Sequence, residues 1–317
     1  MKIPSKKSQR GFSLIELLVA MAITTIIVTV LVSVTAMALD TWNRSRAEIR
    51  AARQAKSMID TMARDFESFV SRKGNTFEWL YAKSNPSSDG PRGTASPNAI
   101  DLIFFSAATD RYEGKIGDLD LDKGGDVSTV GYQLTYKDPI AGDDEDAYKT
   151  FVLYRKIVNP NVTFANILGQ ASIKGPLEVA VNTGDTGSRV DKEVNFICEN
   201  VYQFTVTFHV STTTTTGLKS VTVPVGKGTN STEEFRITGS GINTAFVPPK
   251  EPSESDAQAK ARLAAGRLSA AEISITMLSD FGIQQMRRRS DLTGPKLAEF
   301  IAKHSYQYSK VVPLPGS

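Results

Sequence analysis

The chain's clearest chemistry lies at Gly11, Phe12 and Glu16. Glu16 is the single charge in an apolar run from Phe12 to Leu39, and Gly11-Phe12 marks where that run opens. A lone charge at a bilayer centre costs on the order of 2.5–3.5 kcal/mol on insertion scales. Glu16 lies near one end of the run, which lowers the cost but leaves the need for a partner. A cut between Gly11 and Phe12 would free an α-amino group that is largely cationic at neutral pH. That amine would stand four residues from Glu16 in its own chain, and in a stack of helices it would meet the Glu16 of a neighbour. Weak screening in lipid lets such a pair set register between copies as well as attraction.

Other reactive residue types form no comparable constellation. The sequence holds no GxSxG elbow, HExxH, P-loop or CxxC pattern. This favours a protein that is not an enzyme. A single cysteine, Cys198, rules out an intramolecular disulfide and reads as a strand residue, with no histidine near it in sequence. The two histidines, His209 and His304, read as structural: one on the polar side of a strand, one at a helix end. No cofactor is expected, with one exception to test. In "GDLDLDKGGD", Asp118, Asp120, Asp122 and Asp126 resemble the start of a calcium loop. Its glycine falls one position late, and the twelfth position is Thr129 instead of a bidentate glutamate. The competing reading is a solvated hairpin tip, and the acidic run Asp143–Asp146 is less specific still. The basic patch Met286–Asp291, "MRRRSD", reads as a solvated turn that could meet lipid headgroups, a neighbour's acids or nucleic acid.

These residues need elements to hold them. The run from Phe12 to Leu39 is about 28 residues, roughly 42 Å as a helix, enough to cross a ~30 Å hydrocarbon layer. Lys2, Lys6, Lys7 and Arg10 precede it. By the positive-inside bias the amino terminus stays cytoplasmic and everything after Asp40 is exported. Beyond Trp42, apolar residues recur at Ile49, Ala52, Ala55, Met58, Ile59, Met62, Phe66 and Phe69, the spacing of a helix with one buried stripe. Arg44, Arg46, Glu48, Arg50, Arg53, Lys56, Asp60, Arg64 and Asp65 would face water or neighbours. One helix from Phe12 to about Val70 is predicted, the alternative being two helices broken near Asp40-Thr41.

At this point "RGFSLIELLVAMAI" resembles the class III signal of type IV prepilins and type II secretion pseudopilins: a basic leader, Gly, Phe, three residues, Glu, then an apolar helix. The resemblance covers about 30 residues. It implies cleavage after Gly11 by a prepilin peptidase, N-methylation of Phe12, and an assembly role for Glu16 as the mature position-five glutamate. It further implies partners: the peptidase/methyltransferase, other pilins or pseudopilins, an inner-membrane assembly platform and the lipid bilayer. The implied location is the inner membrane, single-pass with a periplasmic head, then a pilus or pseudopilus. Many major pilins have a kinking proline deep in the helix. Here Ile27–Ser33 has none, which points to a minor or pseudopilin-type subunit.

From Ala99 onward the pattern turns to short β-branched and aromatic runs separated by Gly, Asp, Asn and Pro. Strands are predicted at Ile100–Ser106, Val127–Tyr136, Thr150–Val158, Leu177–Val181, Val201–Val210, Ala271–Leu278 and Tyr306–Leu314, with a helix at Pro295–Lys303. In Val201–Val210 strict alternation gives one apolar face, the mark of a half-buried antiparallel strand. Ser84–Pro97 and Val247–Gln258 read as loops, and the threonine run 212–216 as a β edge or a tip. The fold class is therefore α+β, pilin-like, the long helix packing on a largely antiparallel β-sheet head. Its parts are a leader (1–11), a transmembrane half-helix (12–39), an amphipathic half-helix (40–72) and the head (73–317). "NFICENVYQFTVTF" and "AAEISITML" resemble the larger, J-type minor pseudopilins. "FVLYRKIVNP" and "SYQYSKVVPLPGS" are similar to the Verru-Chthon cassette proteins, C type.

The net charge of +3, with acids and bases interspersed, argues against nucleic acid as the main partner. Two other function classes stay open on sequence alone: a membrane-anchored periplasmic binding protein that borrows a pilin-like anchor, and a minor pilin used in DNA uptake.

Overall fold

The structure is a computed structural model and describes residues 13–86, 89–107, 126–140, 148–174, 190–214, 217–226 and 232–315. The chain forms two compact units, Met1–Ile49 and Arg50–Ser317. Helix α1 (Leu14–Glu67) is continuous for 54 residues, without a break at Asp40-Thr41. No glycine or proline interrupts it, so neither backbone entropy nor a lost N–H opens a gap, even though Ile23–Val30 is an unbroken β-branched run.

In the second unit α1 buries Ala51, Ala55, Met58, Ile59, Met62, Ala63, Asp65 and Phe66. The stripe differs from expectation at three positions. Ala51 is buried where Ala52 was expected, because it lies three full turns before Met62. Ile49 is half exposed. Asp65, expected to face water, is 2% exposed, a correction taken up below.

Among the described residues eleven strands follow: β1 (Glu78–Ser84), β2 (Ile100–Ser106), β3 (Ser128–Lys137), β4 (Thr150–Val158), β5 (Phe196–Glu199), β6 (Val201–Thr214), β7 (Gly217–Val225), β8 (Glu234–Thr238), β9 (Gly241–Thr244), β10 (Arg267–Leu278) and β11 (Ser305–Pro313). Three helices accompany the later strands: α2 (Asp256–Ala264), α3 (Asp280–Arg288) and α4 (Gly294–His304). One sheet has the order β5-β4-β3-β2-β1-β8-β9 and the other β11-β10-β6-β7. Every strand pairing within them is antiparallel. The strand expected at Leu177–Val181 lies outside the described residues.

Register decides what the core is made of. Leu80 pairs with Phe104, Leu102 with Tyr132 and Ala82 with Phe235, which puts these rings on one face of the larger sheet. On that face Phe66 of α1 stacks on Phe104, centroids 4.7 Å apart and 6° between planes. The smaller sheet covers the same face: Phe208 stacks on Phe235 at 4.3 Å, and Phe204 and Tyr202 meet Tyr132 and Phe151. The even-numbered residues of β6 are thus the core side that the alternation predicts.

Between β5 and β6 the chain passes from the larger sheet to the smaller through one residue, Asn200, whose φ of 62° is tolerated by asparagine better than by most side chains. Its amide is tied on both sides. Thr150 Oγ1 donates to Asn200 Oδ1 at 2.7 Å, and Asn200 Nδ2 donates to Asp280 Oδ1 at 2.8 Å. In the Val247–Gln258 stretch the loop ends at a capping box formed by Ser255 and Gln258, which starts α2.

Candidate functional site

The amino-terminal end of α1 is organised around Glu16. Ser13 N–H donates to Glu16 Oε2 at 2.9 Å, and Ile15 N–H donates to Ser13 Oγ at 3.4 Å. Ser-Leu-Ile-Glu is therefore a helix-starting device as well as a carrier of charge. The local signature of helix starting is the S-x-x-E spacing of Ser13 and Glu16. Gly11 and Phe12 lie outside the described residues.

Behind Glu16, every residue from Ser13 to Arg46 is exposed. Sixteen large apolar side chains between Leu14 and Leu39 remain more than half exposed. At about 1 kcal/mol for each half-buried side chain, covering them is worth on the order of 15 kcal/mol. That equals the whole stability of a typical domain, so water is not the medium this surface suits. The polar groups of the run are already satisfied. The hydroxyls of Thr24, Thr25, Thr29, Ser33 and Thr35 each donate to the carbonyl four residues earlier, at 2.7–2.9 Å. By length and composition α1 can cross a membrane.

Where α1 enters the head, ionic contacts fasten it. Arg50 pairs with Asp280, and Lys310 Nζ lies 2.8 Å from Asp60 Oδ1. Both pairs are exposed and worth little. The third is different. Asp65 accepts from Arg155 Nε at 2.8 Å and from Arg155 Nη2 at 2.6 Å, and it also accepts from the Tyr132 hydroxyl. The Asp65 and Arg155 side chains are 3% and 12% exposed. Burial pushes the Tyr132 phenol well above its usual range, and the Asp65 carboxylate adds to the effect. A bidentate carboxylate–guanidinium pair with a third donor has the satisfied geometry that a buried charge requires.

The remaining candidates stay apart. Asp118, Asp120 and Asp122 lie outside the described residues, while Asp126 is exposed just before β3. Among the described residues no three His, Cys, Asp or Glu side chains are grouped to hold a metal ion. Cys198 is buried in β5, where burial pushes its thiol up to about 12 and makes it a poor nucleophile. His209 lies on the polar side of β6, 3.8 Å from Glu272. His304 closes α4. The Met286–Asp291 patch, expected to be a solvated turn, begins as the last turn of α3. Arg287 donates to the Lys149 carbonyl, and Arg289 pairs with Asp291 at 2.7 Å.

Residues 6–32 match the model of the prokaryotic N-terminal methylation motif. The chain therefore carries a class III signal of the prepilin and pseudopilin type, a motif of structural subunits that points to membrane anchoring. No curated protein and no solved structure matches the chain.

Proposed function

We propose that this protein is a non-enzymatic assembly subunit, cut after Gly11, N-methylated at Phe12 and built as a minor component into a type IV pilus or type II secretion pseudopilus. The observation that carries the reading is the methylation motif over residues 6–32, continuous with a helix whose apolar run to Leu39 is uncovered and has Glu16 as its one charge. Before assembly the bilayer covers that surface, with the amino terminus cytoplasmic and the head periplasmic. After assembly, neighbouring helices cover it, and the freed amine of one copy meets Glu16 of another. The partners are a prepilin peptidase/methyltransferase, other pilins or pseudopilins and an inner-membrane platform. The uninterrupted helix and the direct pairing of β6 with β10 are consistent with a J-type minor subunit, because those strands hold the two head segments that carry that resemblance.

The test is the amino-terminal residue and intact mass of protein recovered from native cells. The expected chain starts at N-methyl-Phe12. Material that keeps residues 1–11 and still assembles would sink the reading. An anchored binding protein would instead keep its function when residues 1–39 are exchanged for an unrelated anchor.

A further inference from the structure

A cavity of about 600 Å³ opens in the head between the 91–97 segment, the end of α3 and the start of α4. Its wall is of two kinds. Met286 and Leu292 are buried and line it with Leu297, forming an apolar floor. Arg92 and Arg289 line it as cations. Segments 91–97 and 286–297 together contain Arg92, Arg287, Arg288, Arg289 and Lys296 against a single acid, Asp291.

The cations are held in place. Arg92 Nε and Nη2 donate to the carbonyls of Arg287 and Arg288 at 3.0 and 3.4 Å, fixing the end of α3 to the 91–93 turn. Arg92 keeps this position at a φ of 54°, a conformation unfavourable for a residue with a Cβ. Arg289 is braced by Asp291 and lies over the Phe300 ring at 5.8 Å, yet its side chain remains 44% exposed.

We propose that this cavity is a docking site for an acidic, leucine-bearing peptide segment of a partner subunit. Its carboxylates would meet the arginine rim and its apolar side chain would fill the Met286–Leu292–Leu297 floor. Charge complementarity and the mixed wall select that occupant. A nucleic-acid strand asks for cations spaced along a track and leaves an apolar floor unused, and a free phosphate does the same. The volume suits a few side chains. That the partner is another subunit rests on the assembly reading above, whereas the acidic peptide chemistry stands without it.

The test uses the full chain in detergent micelles and a fluorescent peptide of alternating glutamate and leucine, followed by anisotropy. Saturable binding is expected, weakening with salt and falling about tenfold in Leu297→Gln. Arg289→Glu should do the same where melting shows that it folds. Replacing the peptide's glutamates with lysine should abolish binding. No saturable binding, no effect of Leu297→Gln, or equal displacement by inorganic phosphate or a short single-stranded DNA would each overturn the proposal. The two readings separate cleanly. Peptide binding with a dispensable Glu16 sinks the assembly mechanism alone, and absent binding with an essential Glu16 sinks the docking site alone.

Discussion

At the scale of single residues, substitution can separate the helix-starting role that the structure gives Glu16 from the charge pairing proposed for it. Its carboxylate closes the first turn of α1 by accepting the Ser13 N–H, and its charge is available to a neighbour's amine. Glu16→Ala removes the acceptor and the charge, while Glu16→Gln keeps a carbonyl acceptor and removes only the charge. If the charge pair drives assembly, both variants should reach the membrane normally and both should be missing from the assembled fraction, as judged by comparing the two fractions on immunoblots. Normal incorporation of the Gln variant would assign the glutamate to helix capping, a role worth about 1 kcal/mol, and remove the assembly mechanism. Glu16 could be found from sequence because its oddity is local: one acid, one apolar run. Asp65 could not. It sits among Arg64 and Glu67 in a pattern that reads as a solvated face, and its partners Tyr132 and Arg155 lie 67 and 90 positions away.

At the scale of elements, long-range partners of this kind decide how α1 joins the head. Breaking a buried ion pair by removing one member costs about 3–5 kcal/mol. Asp65→Asn should therefore lower the melting temperature of the full chain in detergent by on the order of 10 °C. The double variant Asp65→Leu with Arg155→Met should recover part of that loss, less the cost of taking the Asp65 acceptor from the buried Tyr132 hydroxyl. A single variant that melts like the parent would show that Arg155 finds water and that the pair does not fasten the helix. The same contrast between local and distant signals explains which strands were legible. β2, β4 and β6 announce themselves by β-branched runs or clean alternation. β1, "EWLYAKS", is buried on both faces at its start and so shows no alternation. β7 carries Pro224 and an exposed first half, as an edge strand can. β5 and β9 are four residues each, too short for any period to register. α3 escaped because its nine residues begin with Asp-Phe-Gly and end in arginines, leaving only Gly282, Ile283 and Met286 to bury.

At the scale of the whole molecule, charge is nearly balanced with or without residues 1–11. Loss of residues 1–11 removes Lys2, Lys6, Lys7 and Arg10 with no acid, taking the formal charge from +3 to −1. With so little net charge, global repulsion cannot dominate the response to pH, and individual buried carboxyls should. Asp101 on β2 is 8% exposed. Burial raises its pKa to about 6, although hydrogen bonds from Asn85 and Gln133 and the charge of Lys83 pull the other way. Burial raises Glu78 as well. The sign follows from linkage. Well below pH 4, Asp101 is protonated in both states and carries no penalty, and near pH 4 the penalty is still small. As pH rises toward 6 the unfolded chain releases this proton first, so stability falls, and above about 6 the loss is complete. Asp101→Asn keeps an acceptor for the Asn85 amide, which donates at 2.8 Å, and cannot ionise. The variant should exceed the parent by no more than about 0.5 kcal/mol near pH 4 and by up to about 3 kcal/mol at pH 7, read from melting curves of the full chain at the two pH values. An equal gain at both would mean that the amide simply packs better, and that Asp101 is already ionised in the folded head at pH 4.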